Sequence, residues 1–163
     1  MKPLVKILAL AAAVTVAGPW PPLAASAGGS GGYAAKVPGP LDRARELLAA
    51  HQWPAALAEL QRIDTPRDPD WNNLMGYASR MKEPPDFAAA EGYYQAALAI
   101  NPKHKPTLEY LGELRLQQGN LPGAEAILER LRHASLFRSA EYKDLQKAIE
   151  RYKAAGNTYV PGT

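Results

Sequence analysis

From Leu41 to about Lys153, apolar residues recur at spacings of three and four against a background of Ala, Leu, Glu, Arg and Gln, with no period-two alternation. That pattern predicts amphipathic helices and no sheet. The helical stretches are separated by helix-stopping clusters: Asp64-Thr65-Pro66-Arg67-Asp68-Pro69-Asp70, Glu83-Pro84-Pro85, Pro102 and Gly119-Asn120. Proline removes a backbone donor and fixes φ, so each cluster separates one helix from the next.

The pattern also repeats. Trp53, Ala56, Leu60 and Ile63, shifted by 34 residues, meet Phe87, Ala90, Tyr94 and Ala97; a second shift of 34 meets Leu121, Ala124, Leu128 and Leu131. Self-similarity at this period predicts a stack of helical hairpins. The small residue at one register position, Ala56, Ala90 or Ala124, lets two helices approach closely, and the bulky residues around it fill the space beside the crossing. A lone hairpin leaves an apolar face uncovered, so stacking supplies the stability.

These residues resemble the tetratricopeptide repeat family over roughly residues 41 to 153, as in small exported bacterial members of it. Trp71, Met75 and Gly76 match the aromatic, apolar and small positions of the family's first helix, and Phe87, Ala90, Tyr94, Ala97, Leu98 and Pro102 match its second helix and closing proline. Leu108, Leu111, Gly112, Leu121, Ala124 and Leu128 repeat the match, while the first copy, with Leu47 and Leu48, is degenerate. One more step places Tyr142, Leu145 and Ile149 on a solitary last helix with Ser139 as its N-cap. The resemblance implies an all-α fold: a right-handed α-solenoid of about three hairpins plus a C-terminal capping helix. Two departures stand out: about two extra residues at Glu83-Pro84-Pro85, and Leu136 where the third repeat would carry its closing proline.

The flanks differ. Lys2 and Lys6, the apolar run Ile7 to Ala17, the prolines 19, 21 and 22, and Ala25-Ser26-Ala27 read as a signal peptide over 1–27. The alternative, an uncleaved membrane anchor, needs about 20 apolar residues, more than this run supplies. Residues 28–40, rich in Gly and Pro, read as a flexible leader, 41–155 as the repeat domain with its cap, and 156–163 as a frayed tail. The expected location is therefore outside the cytoplasm, in the periplasm, with no stable membrane insertion after cleavage. The absence of cysteine excludes disulfides, thiolate metal sites and thiol chemistry. Of the net charge of +3, Lys2 and Lys6 leave with the signal, so about +1 remains and no basic, aromatic-laced run points to nucleic acid.

Candidate chemistry is sparse. His51, His104 and His133 show no metal-ligand spacing and read as surface residues near turns and a helix end. Asp64, Asp68 and Asp70 lack the glycine and later glutamate of a calcium loop, and read as a connector whose acidic residue starts a helix. No serine sits in a nucleophile motif, and Gly28 to Gly32 has no strand–helix context for phosphate. The chain reads as a non-enzyme without cofactor or metal. Placed by the family pattern, a concave groove is lined by Arg45, Asn73, Tyr77, Arg80, Glu109, Glu113, Lys143 and Lys147, with Leu116 beside them. The family's two-lysine, two-asparagine clamp for carboxylates is not reproduced: Asn73 alone fits it. The groove implies a protein or peptide partner for an adaptor in the bacterial envelope. The competing reading is a structural protein that self-associates weakly through Tyr93, Tyr110 and Tyr142, its groove incidental.

Overall fold

The computed structural model describes residues 38–134 and 137–162. Among them are seven helices and no strand: α1 (Asp42–Ala49), α2 (Trp53–Ile63), α3 (Pro69–Met81), α4 (Phe87–Ile100), α5 (Lys105–Gln117), α6 (Leu121–Ala134) and α7 (Ala140–Ala154). The signal peptide and most of the leader expected from the sequence lie outside the described residues, as do Ser135 and Leu136. No helix among the described residues is long and apolar enough to cross a membrane.

The connectors start helices as their composition predicts. Asp68 accepts the Asp70 N–H at 2.8 Å, Asp86 the Ala89 N–H at 3.0 Å, Asn120 the Gly123 N–H at 2.9 Å and Ser139 the Tyr142 N–H at 3.4 Å. Each satisfies a donor that the helix cannot, an effect of about 1 kcal/mol apiece. Helices α1, α5 and α7 end alike, with crossed backbone bonds at Gln52→Leu47 and His51→Leu48, Asn120→Arg115 and Gly119→Leu116, and Asn157→Tyr152 and Gly156→Lys153. The turning residue is left-handed in each: His51 (φ 58), Gly119 (φ 74) and Gly156 (φ 68). The 34-residue step that relates His51 to Gly119 passes through Pro85. Proline cannot adopt positive φ, so repeat two leaves its first helix differently: Lys82 is extended and the Asp86 N–H returns to the Ser79 carbonyl at 2.9 Å. That is the structural meaning of the extra residues there.

Packing follows the repeat. α1 pairs with α2, α3 with α4, and α5 with α6; α7 packs on α5 and α6 as the cap. Ala56, Ala90 and Ala124 are all 0 % exposed, each at its hairpin crossing. Close approach also explains Gly76 and Gly112. A Cβ on Gly76 would lie 2.5 Å from the buried ring of Tyr94, and one on Gly112 would lie 2.5 Å from Leu145. Glycine thus admits the partner helix within a hairpin at one site and the capping helix at the other. Leu41 to Ala78 form one apolar cluster, and Ala90 to Tyr152 a second.

The odd-numbered helices touch in succession, α1 on α3, α3 on α5 and α5 on α7, whereas α2, α4 and α6 make no contact with one another. A stack joined along its odd helices and splayed along its even ones is curved, with the odd helices on the inner side.

Candidate functional site

Helix α3 is central in the stack, and from Trp71 to Arg80 every residue is buried except Tyr77. The Trp71 indole N–H donates to the Leu60 carbonyl at 2.7 Å, and its ring meets Tyr93 edge-on at 6.0 Å, tying α3 to α2 and α4. Tyr77 is left on the inner face. Its ring stacks on Tyr110 at 4.7 Å and meets Trp53 edge-on at 5.8 Å, and Trp53 stacks on His51 at 5.0 Å. His51, Trp53, Tyr77 and Tyr110 therefore form an aromatic strip across three repeats. Neighbouring rings contribute about 0.5–1.5 kcal/mol beyond burial.

At the far end of the strip Arg80 is only 2 % exposed. Its guanidinium lies 5.5 Å from the Tyr77 ring centroid and 5.6 Å from that of Tyr110, and Nη2 donates to Glu113 Oε2 at 2.7 Å. Burial opposes its charge, but the guanidinium stays protonated, with the Glu113 carboxylate among the groups that offset the burial. Arg80 Nε and Nη1 and the Tyr94 hydroxyl have no hydrogen-bond partner among the described residues. Burial raises the Tyr77 hydroxyl above its ordinary range, and burial with Glu109 nearby pushes Tyr110 up to about 12. Glu109 is pushed up to about 8, first by burial, then by the negative charges of Glu113, Asp144 and Glu141.

A polar chain crosses the other end of the inner face. Thr107 donates to Asn73 Oδ1 at 3.0 Å, His104 Nδ1 lies 2.7 Å from the Thr107 hydroxyl, and His104 Nε2 lies 3.0 Å from Asp70 Oδ1. Asp70 Oδ2 accepts from Arg45 at 3.0 Å, and Arg45 reaches Asp42 at 3.4 Å. Asp70, His104 and Thr107 stand in the order of a hydrolytic triad, but Thr107 is 0 % exposed and its proton is committed to Asn73. No substrate can reach that hydroxyl, and the chain acts as a brace between α1, α3 and α5. Among the described residues no group of three or more His, Asp or Glu side chains is arranged to hold a metal ion.

Of the groove residues expected from the sequence, Arg45, Asn73 and Tyr77 line one cleft of about 400 Å³ with His51, Asp70 and Tyr110. Glu109, Glu113 and Lys147 line a second, of about 450 Å³, with Asp144 and Arg151. Lys143 is exposed and lines neither cleft. Arg80 and Asn73 are buried beneath the face, engaged by Glu113 and Thr107. Sequence reasoning missed Trp53 and Tyr110, and placed His104 at the surface where it is instead a half-buried brace. The signal was present: Asp70 to His104 and Asn73 to Thr107 are each separated by 34 residues.

One further expectation is corrected. Of the tyrosines offered for self-association, Tyr142 is buried beneath Arg138, whereas Tyr110, stacked on Tyr77, and Tyr93, edge-on to Trp71, are half-buried. Tyr159 packs against the second apolar cluster, and Val160, Pro161 and Gly162 form a wall of the second cleft.

Comparison with known proteins agrees with this architecture. A family model described as tetratricopeptide repeat matches residues 85–149, from the turn before α4 into α7. No curated protein and no solved structure matches the chain. Hairpins in register, small residues at their crossings and the matched segment lead to one conclusion: residues 85–149 are tetratricopeptide repeat, and the hairpins before them follow the same register.

Proposed function

We propose that this protein is a non-catalytic adaptor of the bacterial cell envelope that binds a peptide or protein segment along its inner face. Tetratricopeptide repeats generally mediate protein–protein interaction and are typically scaffolds without catalysis of their own. The observation that carries the reading is the aromatic strip from His51 to Tyr110, set between two clefts on the side where the first helices meet. Flat amphipathic rings of this kind anchor interfaces, because they bury large area at small entropic cost. The contacts assigned to the partner are Arg45, Tyr77, Glu109, Glu113 and Lys147, with Asn73 and Arg80 supporting them from beneath. The export signal read in residues 1–27 supports an envelope location.

Photo-crosslinking in cells tests the reading. A crosslinker at Arg45 or Lys147, on the inner face, should capture defined partners, and one at Ala126 on α6, opposite, should not. Tyr77→Ala should abolish the inner-face products. Identical products from both faces, or products insensitive to Tyr77→Ala, would refute the groove, and a chain recovered in the cytoplasmic fraction would refute the envelope setting.

A further inference from the structure

The connectors that follow the even helices differ in charge. Pro69, Lys103 and Phe137 stand 34 residues apart, one in each connector or at its end. The first connector is acidic at Asp64 and Asp68; the second and third carry Lys103 and Arg138 and no carboxylate. Pro102, Lys103, Glu129, Arg130, His133 and Ala134 line one cleft of about 370 Å³, where the second connector meets the end of α6. Phe137 stands three residues beyond Ala134 and is 86 % exposed; Ile100, the next most exposed large apolar side chain among the described residues, is 44 % exposed. Among the described residues the side chains of Lys103, Arg130 and Arg138 form no ion pair, and Arg138 lies 5.5 Å from the Tyr142 ring centroid. Glu129 is already engaged: it accepts from Arg132 Nε at 3.0 Å and lies 2.9 Å from His133 Nε2. Lys103, Arg130, Arg132 and Arg138 therefore outnumber the nearby carboxylates, Glu129 and Glu141.

We propose that this edge docks on an anionic phospholipid surface, with the Phe137 ring entering the headgroup boundary and Lys103, Arg130 and Arg138 facing lipid phosphates. Charge complementarity and the shape of the patch select this partner. Unpaired cations gain from a negative surface without first giving up a partner of their own. A stable protein interface buries about 800 Å² on each side, whereas this edge offers one projecting ring and a small cleft. A bilayer boundary accepts a lone ring because lipid moulds itself around it, and the flanking cations stay with the headgroups. The attachment is peripheral: no helix among the described residues is long and apolar enough to cross a membrane. The edge shares no residue with the aromatic strip of His51, Trp53, Tyr77 and Tyr110, so this inference stands or falls apart from the inner-face reading.

The test sediments the full chain with phosphatidylcholine vesicles, with and without about a third of phosphatidylglycerol. The chain should bind the anionic vesicles at least about tenfold more tightly than the neutral ones, and lose that preference at about 1 M salt. Phe137→Ser should weaken binding to the anionic vesicles about tenfold by removing the apolar contact. Lys103→Gln combined with Arg130→Gln should weaken it about 25-fold, at about fivefold for each cation near the surface. Phe137→Trp should restore what Phe137→Ser loses. All three positions are exposed, so circular dichroism should be the same for every variant. Residues 7–17 are common to all of them, so a difference between variants belongs to the edge and not to that apolar run. Equal binding of the unaltered chain to both kinds of vesicle would overturn the inference, as would variants that bind like the unaltered chain. A crosslinker at Phe137 that captures a protein, with no preference for anionic vesicles, would overturn it too and assign the edge to a protein partner.

Discussion

The two ends of the inner face use the same helices for different kinds of joint. Between α1, α3 and the start of α5 the link is a chain of polar side chains, Asp42–Arg45–Asp70–His104–Thr107–Asn73, that begins in solvent and ends in the core. Between the end of α3 and the middle of α5 it is one buried ion pair, Arg80–Glu113, roofed by Tyr77 and Tyr110. The first joint opens directly on one cleft; at the second the two tyrosine rings cover the guanidinium, and Glu113 alone of the pair reaches the other cleft. Exposed pairs are worth little because water competes for them, whereas half of a buried pair cannot be removed without stranding the other half. Stability should therefore be concentrated at the covered end, and freedom to admit a partner at the open one.

The largest expected effect breaks the covered joint. Arg80→Ala leaves Glu113 unpaired beneath two tyrosines and should cost about 3–5 kcal/mol in urea unfolding. A loss below about 1 kcal/mol would show that this joint is no stronger than a surface pair. Next, Thr107→Val tests the one buried link of the open joint. It strands Asn73 Oδ1 and should cost about 1–3 kcal/mol.

A pH dependence sharpens the contrast further. Glu109 holds its proton up to about pH 8 in the folded chain but, once unfolded, releases it near its ordinary 4.5. The folded state thus binds the extra proton between those values, so this contribution to stability is complete below about pH 4.5 and lost as pH rises through 8. Glu109→Gln should flatten that decline, recovering about 1–2 kcal/mol at pH 9 once partial exposure is discounted. An unchanged slope would mean that Glu109 is solvated. The smallest effect belongs to Arg45→Ala, whose two pairs are exposed, at less than about 1 kcal/mol.

Local and periodic features were legible in the sequence. Ala56, Ala90 and Ala124 gave the crossings, Asp68 and Ser139 the caps, and Glu83-Pro84-Pro85 the irregular turn, because each acts through its own backbone or through a contact repeated at fixed spacing. What the sequence did not disclose was the fate of charged and terminal residues. Arg80 reads as a surface cation until its neighbours on α5 are known, since burial of a guanidinium depends on Tyr110 and Glu113, more than 29 residues away. Gly156 and Pro161 read as ends of order, yet the same glycine turns the chain back onto the protein. Tyr142 lost its apparent freedom for the same reason: it is buried, with Arg138 over its ring.

The unequal contact between odd and even helices carries a mechanical consequence. A segment too long for the present curvature can be accommodated only by straightening the stack, and straightening draws the inner helices apart while the outer ones have room to close. The resistance to that motion resides in the inner joints, stiff at Arg80 and Glu113 and compliant at Arg45 and Asp70. The molecule should therefore flex as a spring clamped at one end, opening first at α1.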